Sequence, residues 1–169
     1  MSNGFRLVSA AVDHRAPERL RTLPSWLVGQ VSASANKLVA DALAEHGLRR
    51  NHYRVLVALA EDGEASQADL GRRLWLDRSD LHGVLAELDA ADLTTRVRDE
   101  ADRRRNLVAL TPQGRRVLDE AETAVQAAQS ALLAPLPAAE QRAFLATLTR
   151  LVDQHAGPEG PRAGRPPSR

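Results

Sequence analysis

Residues 102–105 set one carboxylate beside three guanidinium groups: Asp102, Arg103, Arg104 and Arg105. A guanidinium is planar, permanently charged and shaped to donate in parallel to phosphate oxygens. At the tip of a two-stranded ribbon, such groups can follow a phosphate backbone or enter a narrow minor groove. Asp102 and Arg104 are near enough in sequence to pair, and a guanidinium held in place loses less entropy on entering a groove. The expected roles are Arg104 as a minor-groove finger, Asp102 as its positioner, and Arg103 and Arg105 as phosphate contacts. The competing reading is a solvated charge cluster, because three adjacent arginines cannot all face one way.

A second group precedes it. From Asp77 to about Ala91 the chain has helical periodicity, with Leu81, Val84, Leu85 and Leu88 on one face. The opposite face carries Ser79, His82, Gly83 and Ala86, with Arg78 at its start. Small residues let a helix backbone approach another surface, and a major groove admits a helix only at close range. Ser79 and His82 can bond base edges or phosphates, and Arg78 can take a guanine or a phosphate. Gly83 costs about 1 kcal/mol against Ala inside a helix, which a close approach would explain. Alone, this face reads as an ordinary solvated helix surface. Asp77 and Asp80 oppose DNA by charge, and are expected to cap the helix and pair with Arg73 or Arg78.

The elements that position these groups follow. Ser25, after Pro24, is expected to cap a long helix to about Glu45, ended by His46-Gly47. A helix from about Asn51 to Ala60 ends at Glu61-Asp62-Gly63. Ser66-Gln67-Ala68-Asp69 has capping-box spacing and opens a short helix through Leu74. Thr94–Arg98 and Asn106–Leu110 read as strands joined by a hairpin loop. Thr111 caps a helix with Pro112 first in it, running to about Leu133. A last helix ends near His155, with Phe144, Leu145, Leu148, Leu151 and Val152 on one face. The fold class is mainly α with a small β wing: a winged helix-turn-helix domain at 49–113, and a helical dimerisation region from 24–48 and 114–155. A flexible N-terminal arm at 1–23 and a disordered tail at 156–169, rich in Pro, Gly and Arg, complete the division. The apolar stripes of the first and last long helices exceed what a small domain covers, so a second copy of the chain is expected to bury them. Leu27, Val31, Phe144, Leu148 and Leu151 are the expected dimer-interface residues.

Composition narrows the class. The 169 residues fit about one domain. Hydrophobic residues are 43% and aromatics only 3%, so the core is built of Leu, Val and Ala. Net charge is +1, so whole-molecule charge does not mark a nucleic-acid binder. Its placement does: Arg96 to Arg116 holds seven arginines against Asp99, Glu100 and Asp102. Lys37 is the only lysine, so arginine is this chain's default base, and position must carry the argument. With no cysteine, disulfides, thiol redox sensing and cysteine-ligated zinc are excluded. No apolar run could span a bilayer and no secretory signal precedes the first helix, so a cytoplasmic protein without a membrane partner is expected.

The wing pattern Asp-Arg-Arg-x-x-x-Val-x-Leu-Thr-x-x-Gly, met by Asp102, Arg103, Arg104, Val108, Leu110, Thr111 and Gly114, resembles the multiple-antibiotic-resistance regulator (MarR) family of bacterial transcription factors. Ser66-Gln67-Ala68-Asp69-Leu70, and Leu85, Leu88 and Leu93, also fit, and the resemblance runs from about Pro24 to Val152. It implies a homodimer with interlocked terminal helices, two winged domains gripping a pseudo-palindromic duplex operator, and Arg104 at the minor groove. Members are mostly repressors, and many release DNA when a small aromatic or anionic effector binds. Two positions depart from the pattern, Trp75 and Asp92, where relatives often carry Gly.

The region implied to border an effector pocket holds Trp26, His52, Tyr53 and Arg54. The rings could stack on an aromatic ligand, with Arg54 or His52 meeting a carboxylate; the plain alternative makes Trp26 and Tyr53 core residues. Glu45, His46 and His52 straddle a helix break and lack metal-ligand spacing, so neither metal nor cofactor is expected. No phosphate loop, His-Glu-x-x-His or nucleophile motif argues for an enzyme. The alternative is a winged-helix protein-docking module, which would lack the steep salt dependence of phosphate contacts.

Overall fold

The computed structural model describes residues 16–98 and 106–155. Short α1 (Glu18–Arg21) leads into α2 (Pro24–Ala44), α3 (Arg50–Asp62), α4 (Gln67–Leu74) and α5 (Arg78–Ala90). Strands β1 (Thr94–Arg98) and β2 (Asn106–Leu110) follow, then α6 (Pro112–Leu133) and α7 (Ala138–His155). The strands pair antiparallel, with Arg96 opposite Val108. Ala65 exchanges both backbone hydrogen bonds with Val108, at 3.1 and 2.8 Å, so the hairpin is stitched to the segment before α4.

The start of α2 differs from expectation. Ser25 does not cap it. Pro24 already occupies the first turn, and Leu23 is the cap residue, with no side-chain bond. Proline supplies the helical φ and lacks the N–H that a cap would satisfy. The other caps fall where their side chains predict. Ser66 accepts from the Asp69 N–H at 3.2 Å, Asp77 from Asp80 at 2.8 Å, and Thr111 from Gly114 at 2.8 Å. Arg73 does not pair with Asp77; it reaches Asp62 at 3.0 Å, bracing α4 on the end of α3.

Three helices end by one device. Gly47, Trp75 and Asp92 take left-handed φ values of 68°, 53° and 56°. The next N–H in each case bonds five residues back: Leu48 to Leu43, Leu76 to Gly71, and Leu93 to Leu88. This Schellman closure satisfies helix-end carbonyls and turns a leucine inward. The core is Leu-rich, as expected from composition. Leu43, Val55, Leu56, Leu70, Leu85, Leu88, Val108 and Leu118 are its largest fully buried side chains. Truncating such a leucine to alanine typically costs about 2–5 kcal/mol.

Gly114 fixes the junction of hairpin and α6. A Cβ there would lie 2.1 Å from the Leu93 carbonyl oxygen, so the backbones touch where only glycine fits. Beside it Thr111 donates its hydroxyl to the Asp92 carbonyl at 2.6 Å, and its N–H to Leu93 at 3.1 Å.

Candidate nucleic-acid interface

The helix pair that would present the reading surface is built from local signals. Asp77 caps α5, and Leu81, Val84, Leu85 and Leu88 anchor one side of it in the core. The same winding leaves Arg78, Ser79, His82, Gly83 and Ala86 exposed. A Cβ on Gly83 would meet nothing within 4 Å, so no intramolecular packing requires glycine there. Gly71 differs: its Cβ would press the Leu76 carbonyl at 3.3 Å and the Leu81 side chain at 3.6 Å, so it lets α4 and α5 close on each other.

The hairpin rises from the end of α5. Thr94 is buried and donates to Asp89 at 2.5 Å, while Arg96 reaches the other oxygen of Asp89 at 3.3 Å. The strands thereby lean on α5. The loop residues Asp102, Arg103, Arg104 and Arg105 lie outside the described residues, so their roles stay sequence-based.

Periodicity did not reveal a polar tie between α3 and α5. His52 is 6% exposed, and its Nδ1 accepts the Arg49 N–H at 3.2 Å, closing the start of α3. Its Nε2 lies 3.0 Å from Glu87 of α5, and the Arg49 guanidinium meets the same carboxylate. Because Nδ1 accepts, Nε2 carries the proton and donates to Glu87. The contact is then a hydrogen bond from neutral imidazole to carboxylate, not an ion pair. Desolvation by burial, then the Arg49 charge, lowers the His52 pKa below its ordinary 6.5, in agreement with a neutral ring. His52 and Glu87 line a cleft of about 470 Å³ together with Arg49, Arg50, Ser79 and Gly83.

The expected effector residues do not converge on that cleft. His52 lines it; Trp26, Tyr53 and Arg54 do not. Arg54 instead donates to the Leu74 carbonyl at the end of α4 and to Asn51 Oδ1 at 3.3 Å. Tyr53 packs against the core, and burial, then the carboxylates of Glu122 and Glu61, raises its phenol pKa. His46 approaches Glu120 of α6 at 3.8 Å.

Of the expected dimer residues, Leu27, Val31 and Leu151 are 44%, 43% and 48% exposed, and Phe144 and Leu148 are half-buried. No residue of α7 is buried within the described chain. No helix among the described residues is long and apolar enough to cross a membrane.

Known proteins share this architecture. A family model described as MarR family matches residues 46–105. The regulator SarZ of Staphylococcus epidermidis is 34% identical over 79 residues, 47% of this chain and 53% of SarZ, so the chain spans about half the length of the curated relatives it matches. CouR of Rhodococcus jostii RHA1, solved bound to p-coumaroyl-CoA, superposes with a TM-score of 0.68 at 31% identity, over 80% of this chain and 95% of CouR. The MarR family protein Rv2887 of Mycobacterium tuberculosis, solved in complex with DNA, gives 0.65 at 28% identity, over 76% of this chain and 97% of Rv2887. With its helix pair, its hairpin and these relatives, the chain belongs to the MarR family of transcriptional regulators.

Proposed function

We propose that the chain is a sequence-specific duplex-DNA-binding regulator, acting in the cytoplasm as a homodimeric repressor on a pseudo-palindromic operator. One observation carries this reading. α5 is pinned by four buried apolar side chains, and its opposite face of Arg78, Ser79, His82 and Gly83 is left uncovered beside the hairpin root. Arg78, Ser79 and His82 read base edges, and Gly83 lets the helix sit deep in the major groove. Arg104, positioned by Asp102, enters the minor groove, with Arg103 and Arg105 on phosphates. Residues 49–113 form the DNA-binding unit. The helices within 24–48 and 114–155 pair two copies through Leu27, Val31, Phe144, Leu148 and Leu151. The relative solved with DNA supports the partner class, and the one solved with p-coumaroyl-CoA supports control by a small aromatic or anionic effector. Trp26 and Tyr53 supply apolar surface for such a ligand. His52 and Arg54 reach it only by giving up present bonds.

Fluorescence anisotropy with a duplex selected from a random pool tests the proposal. Wild-type binding should weaken steeply with salt. Arg104→Ala should lose affinity for the selected duplex by about tenfold or more while remaining folded. A folded wild type that ignores every duplex at low salt would refute it, leaving the protein-docking module.

A further inference from the structure

The turn that delivers α5 holds a tryptophan in the left-handed region, with a φ of 53°. Three helices of this chain close with a left-handed residue followed by an inward leucine, and the three left-handed positions are Gly47, Trp75 and Asp92. Glycine takes that backbone freely, and aspartate tolerates it. Tryptophan does not, because its Cβ crowds the following carbonyl. Trp75 is 47% exposed, while Leu76 packs against the core. A bulky side chain held strained and half in solvent marks a surface with an external task.

We propose that Trp75 is a DNA-backbone contact, its indole packing on a deoxyribose and its Nε1–H donating to a neighbouring phosphate oxygen. This inference rests on the DNA-binding reading above. Position and charge both favour the duplex backbone as occupant. Trp75 lies three residues ahead of Arg78, within about 10 Å of extended chain, so α5 entering a groove brings the turn to the groove's edge. Arg78 follows it on an exposed position of α5, while Arg72 and Arg73, exposed on α4, are paired with Asp69 and Asp62. The nearest carboxylate in sequence, Asp77, is engaged in capping α5. Indole suits the role: it is apolar on its face, and its one N–H is a donor. Such a contact adds affinity without reading sequence.

The test uses the full chain and a fluorescein-labelled random duplex at low salt. Trp75→Gly should raise the melting temperature by about 2–4 °C, through relief of the left-handed turn. The same variant should bind the random duplex about tenfold more weakly, the scale of one charge-assisted hydrogen bond. In a Trp26→Phe background, where Trp75 is the sole tryptophan, duplex should quench the indole emission. Unchanged affinity or emission with a binding wild type overturns the Trp75 contact and leaves the regulator reading intact. If Trp75→Gly weakens self-association in sedimentation by as much as it weakens duplex binding, Trp75 belongs to a protomer contact and the proposal falls. A wild type that binds no duplex removes both.

Discussion

Nε2 of His52 lies 3.0 Å from Oε2 of Glu87, a bond across 35 residues that fastens α3 to α5. The same ring's other bond, in which Nδ1 accepts the Arg49 N–H, requires a neutral imidazole and is lost on protonation. Burial and Arg49 set the folded His52 pKa below 6.5, so the unfolded chain binds the proton more readily. Stability from this group is therefore complete above the unfolded value and is lost as pH falls through the lower, folded one. Thermal melts across pH ~5–7.5 should show wild type losing stability on acidification more steeply than His52→Gln. Parallel profiles would place the acid sensitivity elsewhere. Glu87→Ala, which leaves the buried Nε2–H without its acceptor, should cost about 1–2 kcal/mol at neutral pH, the lower part of the range for a lost partner because Glu87 is itself half in solvent.

Gly83 separates folding from binding. Nothing in the chain lies within 4 Å of the position a Cβ would take. Gly83→Ala should therefore stabilise the fold, by up to about 1 kcal/mol. If α5 seats in a groove, the same methyl should push it outward and weaken specific binding by several-fold. Denaturant melts and anisotropy on the same preparation give both signs. A variant that gains stability and keeps full affinity would show that the groove does not close on this residue.

Arg78 and His82 should determine which duplex is chosen. Replacing each with alanine is expected to alter the preferred sequence, at about 1–3 kcal/mol for a lost base contact, while affinity for random duplex changes less. Selection from a random pool with each variant measures this. An equal loss on all sequences would move both residues to phosphates.

Leu145, Leu151 and Val152 are exposed on α7, a helix with no residue buried in its own chain. A double change, Leu151→Glu with Val152→Glu, should shift sedimentation from dimer to monomer and reduce operator affinity with it. A wild type that sediments as a folded monomer at micromolar concentration would remove the dimer.

The local half of this structure was legible because its signals are local. Thr94–Arg98 and Asn106–Leu110 are the strands expected, and Ser66, Asp77 and Thr111 are the caps expected, since each depends on side chains within a few residues. The split of α5 into a buried Leu/Val side and an exposed Ser79–His82–Gly83 side follows from 3.6-residue winding alone. Ser25 does not act as the cap because Pro24, the residue before it, already sets the first helical turn. The bonds of His52 to Glu87 and Arg54 to Leu74 left no periodic trace: their partners are 35 and 20 residues away and meet only once three helices have packed. Of the residues that the resemblance groups around a ligand, Arg54 bonds the Leu74 carbonyl and Tyr53 packs against the core, contacts that likewise form only on packing.

The contact of Gly114 with the Leu93 carbonyl has a mechanical consequence. Two backbones are in direct touch here, and Thr111 bonds the carbonyls of both Asp92 and Leu93 beside that contact. Helix α6 and the hairpin are thereby joined as a crank and its handle. A small rotation of α6 about its own axis has no slack to dissipate in, and is delivered to the hairpin as a swing whose reach grows with distance from the pivot.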